Sequence, residues 1–240
     1  YDGGGVNTFK RTQTAYEYDS YGNPTKISYS GDDTAGWGTI LGDEKYIYIE
    51  YIYNQDIWVL NKASHTYTTD SNGNKVSEGW RYYDNNSSWY GVTPVLGRLT
   101  KEEKWSNSTS NAVATFVYDT YGNAISVTDA KGRTTTTRYD STYHMYPELV
   151  TNALGQTQSA AYDPKTGQVL SSTDPNGQVS TRVYDTFGRV KEAFGPYDDA
   201  NHPGVWYEYD LATVPVKITT YSREENNTDD SNKIRATYAF

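Results

Sequence analysis

Short stretches of alternating apolar and polar side chains run through most of the chain. Ile125 and Val127 alternate with Ala124, Ser126 and Thr128; Val179, Thr181 and Val183 alternate with Ser180, Arg182 and Tyr184. A period of two is that of a pleated strand, and no helical period competes with it. Upstream, the run from Tyr46 to Tyr53 sets aromatic and aliphatic side chains on alternate positions and reads as another strand. Ile57-Trp58-Val59-Leu60 reads as a short buried strand with Trp58 in the core. His65 to Thr69 and Lys75 to Tyr83 flank Asp70-Ser71-Asn72-Gly73-Asn74, which predicts a hairpin. Residues 30–43, 84–91 and 223–232 are expected to be loops.

The strands are set out by a repeat. Tyr118-Asp119-Thr120-Tyr121-Gly122-Asn123 recurs as Tyr18-Asp19-Ser20-Tyr21-Gly22-Asn23 and as Tyr184-Asp185-Thr186-Phe187-Gly188-Arg189. Tyr139-Asp140, Tyr162-Asp163, Tyr197-Asp198 and Tyr209-Asp210 add further pairs, with a degenerate one at Tyr83-Asp84. From Tyr118 to Tyr184 the steps are 21, 23 and 22 residues. A second turn signal falls inside each unit: Asp129-Ala130-Lys131-Gly132, Asn152-Ala153-Leu154-Gly155 and Asp174-Pro175-Asn176-Gly177. The unit is therefore turn, strand, turn, strand.

Each tetrad has a physical reading. Asp or Asn in first place accepts a hydrogen bond from a backbone N–H two residues on, and Gly in fourth place takes the positive φ that returns the chain to a strand. The Tyr-Asp pair then reads as a structural corner, with Tyr lying across neighbouring strands and Asp capping the turn. The residues expected to build these corners are Tyr18, Asp19, Gly22, Tyr118, Asp119, Gly122, Tyr139, Asp140, Tyr162, Asp163, Tyr184, Asp185 and Gly188.

Composition narrows the architecture. There are 25 Tyr and 31 Thr, residues that suit strands, but apolar residues make up only 35%. That fits an all-β fold built as one curved layer, or as a sandwich with a thin core. A net charge of −9 argues against nucleic acid as a partner, since neutralising phosphates needs a basic face. The absence of Cys rules out disulfides and thiolate chemistry. No apolar run is long enough for a membrane-spanning helix. The opening Tyr1-Asp2-Gly3-Gly4-Gly5 reads as the middle of a longer polypeptide.

Candidate chemistry is sparse. His65, His144 and His202 lie far apart in sequence with no ligand-spaced partner, so no metal or cofactor is expected. Adjacent acids such as Glu102-Glu103 and Asp198-Asp199 read as solvated charge, because neighbours on a strand point to opposite faces. No nucleophile elbow or phosphate loop is present, and no enzyme activity is expected. The aromatic residues leave one opening: Trp37 and Trp89, bordered by Gly and Ser, are the candidates for exposure and for stacking on a ligand ring.

The Tyr-Asp-x-x-Gly-(Asn/Arg) unit at this spacing resembles the RHS/YD-repeat family. Supporting stretches are Asp140 to Pro147 with Val150 to Thr157, and, ahead of the regular array, Asp56 to Leu60 and Gly97-Arg98-Leu99-Thr100. The resemblance implies a YD-repeat β-hairpin array that curves or spirals, an arc of a hollow shell. It implies one segment over 1–240, with irregular repeats over 1–96, regular repeats of 21–23 residues over 97–210 and an incomplete final repeat over 211–240. It further implies a non-catalytic scaffold in a bacterial secreted or cell-surface protein. Its partners would be the rest of a longer chain and an enclosed C-terminal toxin or effector. Two other readings stay open: a module binding glycan or a cell-surface receptor, as in adhesion relatives, and a subunit that self-assembles into filaments or tubes through open sheet edges.

Overall fold

The structure is a computed structural model that describes residues 12–30, 44–106, 110–223 and 233–239. It is all-β, and the chain groups into two compact units: Tyr1–Val117 with Val127–Gly132, and Tyr118–Ser126 with Arg133–Phe240. Strands β1 (Thr14–Tyr18), β2 (Pro24–Tyr29), β3 (Lys45–Asn54), β4 (Val59–Asp70), β5 (Lys75–Tyr83), β6 (Leu99–Lys104) and β7 (Ala112–Tyr118) pair antiparallel, each with the next in sequence. β8 (Ala124–Thr128) lies at the division.

The second unit continues with β9 (Thr134–Tyr139), β10 (Pro147–Thr151), β11 (Thr157–Tyr162), β12 (Val169–Thr173), β13 (Val179–Tyr184), β14 (Val190–Phe194), β15 (Val205–Asp210), β16 (Lys217–Arg223) and β17 (Lys233–Ala239). From β9 to β17 every register again joins sequence neighbours, antiparallel. Each unit is thus an open meander.

In a meander the connections alternate between two ends. Tyr-Asp pairs close one end of each unit, and tetrads such as Asp70–Gly73 and Asp174–Gly177 close the other. Tyr197-Asp198 is the exception, lying in the β14–β15 connection at the tetrad end. The turn chemistry read from sequence is observed. Gly22, Gly73, Gly122, Gly132, Gly155, Gly177 and Gly188 all have positive φ. Each donates its N–H to the carbonyl three residues back, at 2.9–3.3 Å. Together with the bond from Asp119 N–H to Asn123 O at 3.0 Å, this is a three-residue hairpin loop with a left-handed Gly.

The core is small and lies in β3–β5. Among the described residues Ile52, Tyr82 and Tyr83 are its buried large apolar side chains, beside Ser64, His65, Thr68 and Thr69 of β4 and an enclosed Pro94. The buried strand expected over 57–60 is not formed. Ile57 and Trp58 belong to the β3–β4 turn, and Trp58 is 79% exposed with φ +57°. Asn54 Oδ1 accepts the Asp56 N–H at 3.1 Å, and the Trp58 N–H donates to Gln55 O at 3.2 Å. Closing that turn takes the two apolar residues out of strand geometry. Val59 and Leu60 instead open a strand of 12 residues.

Candidate functional site

The recurring constructed feature is the Tyr-Asp corner. Asp119 Oδ1 accepts the N–H groups of Tyr121 and Asn123, both at 2.9 Å, and Asp185 Oδ1 accepts those of Phe187 and Arg189, both at 2.9 Å. Asp19 does the same for Tyr21 at 2.8 Å and Asn23 at 2.9 Å. The carboxylate supplies the acceptor that a tight loop lacks within its own backbone.

The residue after Gly joins the corner to the next hairpin. Asn123 Nδ2 donates to Asp119 Oδ2 at 2.9 Å and to His144 O at 2.7 Å, and Asn23 Nδ2 donates to Asp19 Oδ2 at 2.9 Å and to Leu60 O at 2.8 Å. Arg189 reaches the same carboxylate position, Asp185 Oδ2, through Nε at 2.7 Å, and its guanidinium lies 4.0 Å from the Tyr209 ring centre. Gln168 Nε2 donates to Gly188 O at 2.5 Å. In sequence this place appears only as "Asn or Arg"; its forward reach becomes visible once the next hairpin is beside it.

The Tyr ties the corner backward. The hydroxyl of Tyr162 donates to Pro147 O at 3.3 Å, that of Tyr184 to Val169 O at 2.8 Å and that of Tyr209 to Val190 O at 2.7 Å. Tyr83 does so to Ala63 O at 2.9 Å. A register shift just before Tyr18, Tyr83, Tyr162 and Tyr184 rotates the ring relative to its strand. Tyr118 and Tyr139 are half-buried at the same place in their strands, while Tyr18 is exposed and lies beside Tyr16.

Two of the longer corners gather four N–H groups each. Asp140 is buried and accepts N–H groups from Thr142, Tyr143, Met145 and Tyr146. Asp84, the degenerate pair, accepts four from Val95, Leu96, Gly97 and Arg98 at 2.7–3.0 Å, across an inserted loop. Its N–H donates to Arg98 O at 2.8 Å, so the corner closes as the short ones do.

These contacts set the charge state. Partial desolvation works to raise the Asp19 carboxyl, but the Asn23 side chain and N–H, the Tyr53 hydroxyl and the Tyr21 N–H outweigh it and bring it down to about 2. Burial, followed by its bond to Asp19, pushes Tyr53 up to about 12. Desolvation likewise works to raise Asp84 and Asp140, and backbone N–H groups outweigh it and lower both. The corners are built around ionised carboxylates.

A second cluster lies on β3–β5. His65 Nε2 is 2.8 Å from Glu78 Oε1 and Nδ1 is 3.3 Å from Glu50 Oε2. Its ring stacks on Trp80 and meets Trp89 at 4.6 Å between centres. Trp89, expected to be exposed, is therefore half-buried and engaged, because the inserted loop folds back with Asn54 Nδ2 donating to Pro94 O at 2.8 Å. Trp37 lies outside the described residues. His144 stacks under Tyr121 at 3.8 Å and His202 bonds Asp199 at 2.7 Å. Among the described residues no group of three or more His, Cys, Asp or Glu is gathered to hold a metal.

Comparison with known proteins follows the corners. The RHS Repeat family profile matches residues 118–157 and 162–193. The crystal structure of TcdB2-TccC3 aligns over 94% of this chain with a TM-score of 0.65 at 12% identity. Residues 118–157 and 162–193 are RHS repeats. The chain's strand meander has the fold of that crystal structure, of whose chain it spans 17%. TcdB2-TccC3 without its hypervariable C-terminal region aligns at 11% identity over 94% of this chain and 14% of that one, with a TM-score of 0.33. The Photorhabdus luminescens Tc holotoxin pore aligns at 11% over 94% and 15%, with a TM-score of 0.29. Neither of these two scores carries a structural argument. No curated protein sequence matches the chain.

Proposed function

We propose that this chain is a section of a protein wall that encloses a C-terminal toxin or effector, in a bacterial secreted or cell-surface protein. Its residues act by exclusion and make or break no covalent bond. The observation that carries the reading is the two-way corner. Tyr reaches back, Asp closes its own loop, and Asn, Gln or Arg reaches forward, so each hairpin is held by its neighbours and needs little core. Such a wall can be extended hairpin by hairpin. The likeness to a structure of TcdB2-TccC3, within a much longer chain, supports the same reading.

Protease protection tests it. In the intact full-length particle, the segment that follows the repeats should survive added protease and become sensitive once the particle is unfolded. Rapid digestion of that segment in intact particles would overturn the enclosing role. Electron microscopy of the same sample should show hollow particles.

A further inference from the structure

Tyr197-Asp198 is the Tyr-Asp pair that builds no corner. It lies in the β14–β15 connection, which runs over 195–204 where the connections at 152–156 and 174–178 are short. Tyr197 ends no strand, and its ring is 77% exposed. The Asp instead folds the connection onto itself. Asp198 Oδ2 accepts the Gly195 N–H at 2.6 Å, and the Asp198 N–H donates to Gly195 O at 3.2 Å. The carboxylate also packs against Gly204, where a Cβ would lie 2.5 Å from Oδ2. The Arg223 N–H holds the end of the connection, donating to Gly204 O at 2.8 Å.

The folded connection walls a cavity of 420 Å³, a size usual for small-molecule sites. Its floor is the row Arg182–Ala193–Val205–Ser222, successive cross-strand partners in β13 to β16 that therefore share one face. Ala193 and Ser222 are small and leave depth between Arg182 and the wall. Phe194, Pro196 and Tyr197 add carbon to the lining. The charge on this floor comes from Arg182, which is exposed and forms no ion pair with a described residue. Arg223 also lines the cavity, but its guanidinium lies 6.0 Å from the Trp206 ring centre. Trp206 follows Val205 in β15 and so points to the opposite face. The cavity is thus a largely apolar trough with a cation on its floor, while the Asp198 carboxylate is engaged by the Gly195 N–H.

We propose that this cavity binds a small aromatic carboxylate, its ring against Ala193, Val205 and Tyr197 and its carboxylate on the Arg182 guanidinium. The planar guanidinium fork matches a carboxylate with two parallel bonds, which a neutral ring could not use. A bare anion would leave the carbon lining unmatched. The net charge of −9 discourages anions over the rest of the surface, so recognition rests on this local pairing. The site is independent of the enclosing role, which stands or falls on protease protection alone.

Calorimetric titration of the 240-residue chain with naphthoate provides the test. The expected result is one saturable site with a Kd of about 1 mM or tighter. Arg182→Gln should weaken it about tenfold or more, and so should replacing naphthoate by the neutral naphthamide. Tyr197→Ser removes the wall ring and should weaken binding several-fold. Arg138→Gln, at an exposed arginine of β9, should leave binding unchanged. All three substituted positions are exposed, so circular dichroism and melting should match the parent. Absence of saturable binding, equal binding of the amide, or an equal loss in the Arg138 and Arg182 variants would overturn the proposal.

Discussion

Asp84 and Asp119 solve the same local problem across very different loops. Asp119 Oδ1 takes the N–H of the residue four positions on, while Asp84 Oδ1 takes that of Arg98, 14 positions on. The acceptor is what closes the corner, whatever lies between. Asp84→Ala leaves the N–H groups of residues 95–98 without their carboxylate and should cost about 2–3 kcal/mol in urea unfolding. Asp84→Asn keeps one acceptor oxygen and should lose less; equal losses would mean that charge, not acceptance, is decisive. Gly155 isolates the backbone contribution. Its φ is +78° and nothing lies within 4 Å of an added Cβ. Gly155→Ala should therefore cost about 1–2 kcal/mol through conformation alone. Gly155→Asn, which tolerates this region, should cost clearly less.

At the scale of the element, side chains at the corners add to the backbone ladder that pairs each strand with the next. The Tyr184 hydroxyl bonds Val169 O at 2.8 Å from one strand to its neighbour, and Arg189 then ties Asp185 to the Tyr209 ring of the following hairpin. Tyr184→Phe keeps the ring, removes the donor and should cost about 1 kcal/mol. Arg189→Lys keeps the charge but loses the planar group that both bonds the carboxylate and faces Tyr209. Amide hydrogen exchange should then rise in β14 and β15 while β9 to β11 stay protected. Uniform acceleration across the unit would contradict this local role.

For the whole molecule, the corner carboxylates act together. Asp19 is lowered to about 2, and Asp70, Asp119, Asp163, Asp185 and Asp210 are lowered by bonds from neighbouring N–H, amide, hydroxyl or guanidinium groups. An unfolded Asp titrates near about 3.9. A carboxyl lower in the folded state binds fewer protons there than when unfolded, so its contribution is complete above about pH 4 and disappears as pH falls toward 2. The urea midpoint should stay level from neutral pH to about 4 and then fall steeply. The cause is short-range bonding, so high salt should leave that fall in place. A midpoint that is flat down to pH 2 would show that the caps do not hold the fold.

The all-β character, the two alternating turn types, the positive-φ glycines and the capping Asp are all properties of a few adjacent residues, and a sequence displays those directly. That is why Asp119, Gly122 and the strands around 124–128 and 179–184 are legible without coordinates. Trp58 is exposed because β3 and β4 turn back on each other within an apolar run that, taken alone, has the pattern of a buried strand. Trp89 departs in the other direction: its Gly and Ser neighbours have the pattern of an exposed loop, but the loop after Asp84 folds Trp89 onto His65, 24 positions away in sequence. The backward bond of Tyr and the forward bond of Asn belong to the same class. Each depends on which hairpin comes to lie alongside which, and only the tertiary structure decides that, because the partner is a backbone carbonyl whose position no side-chain identity encodes.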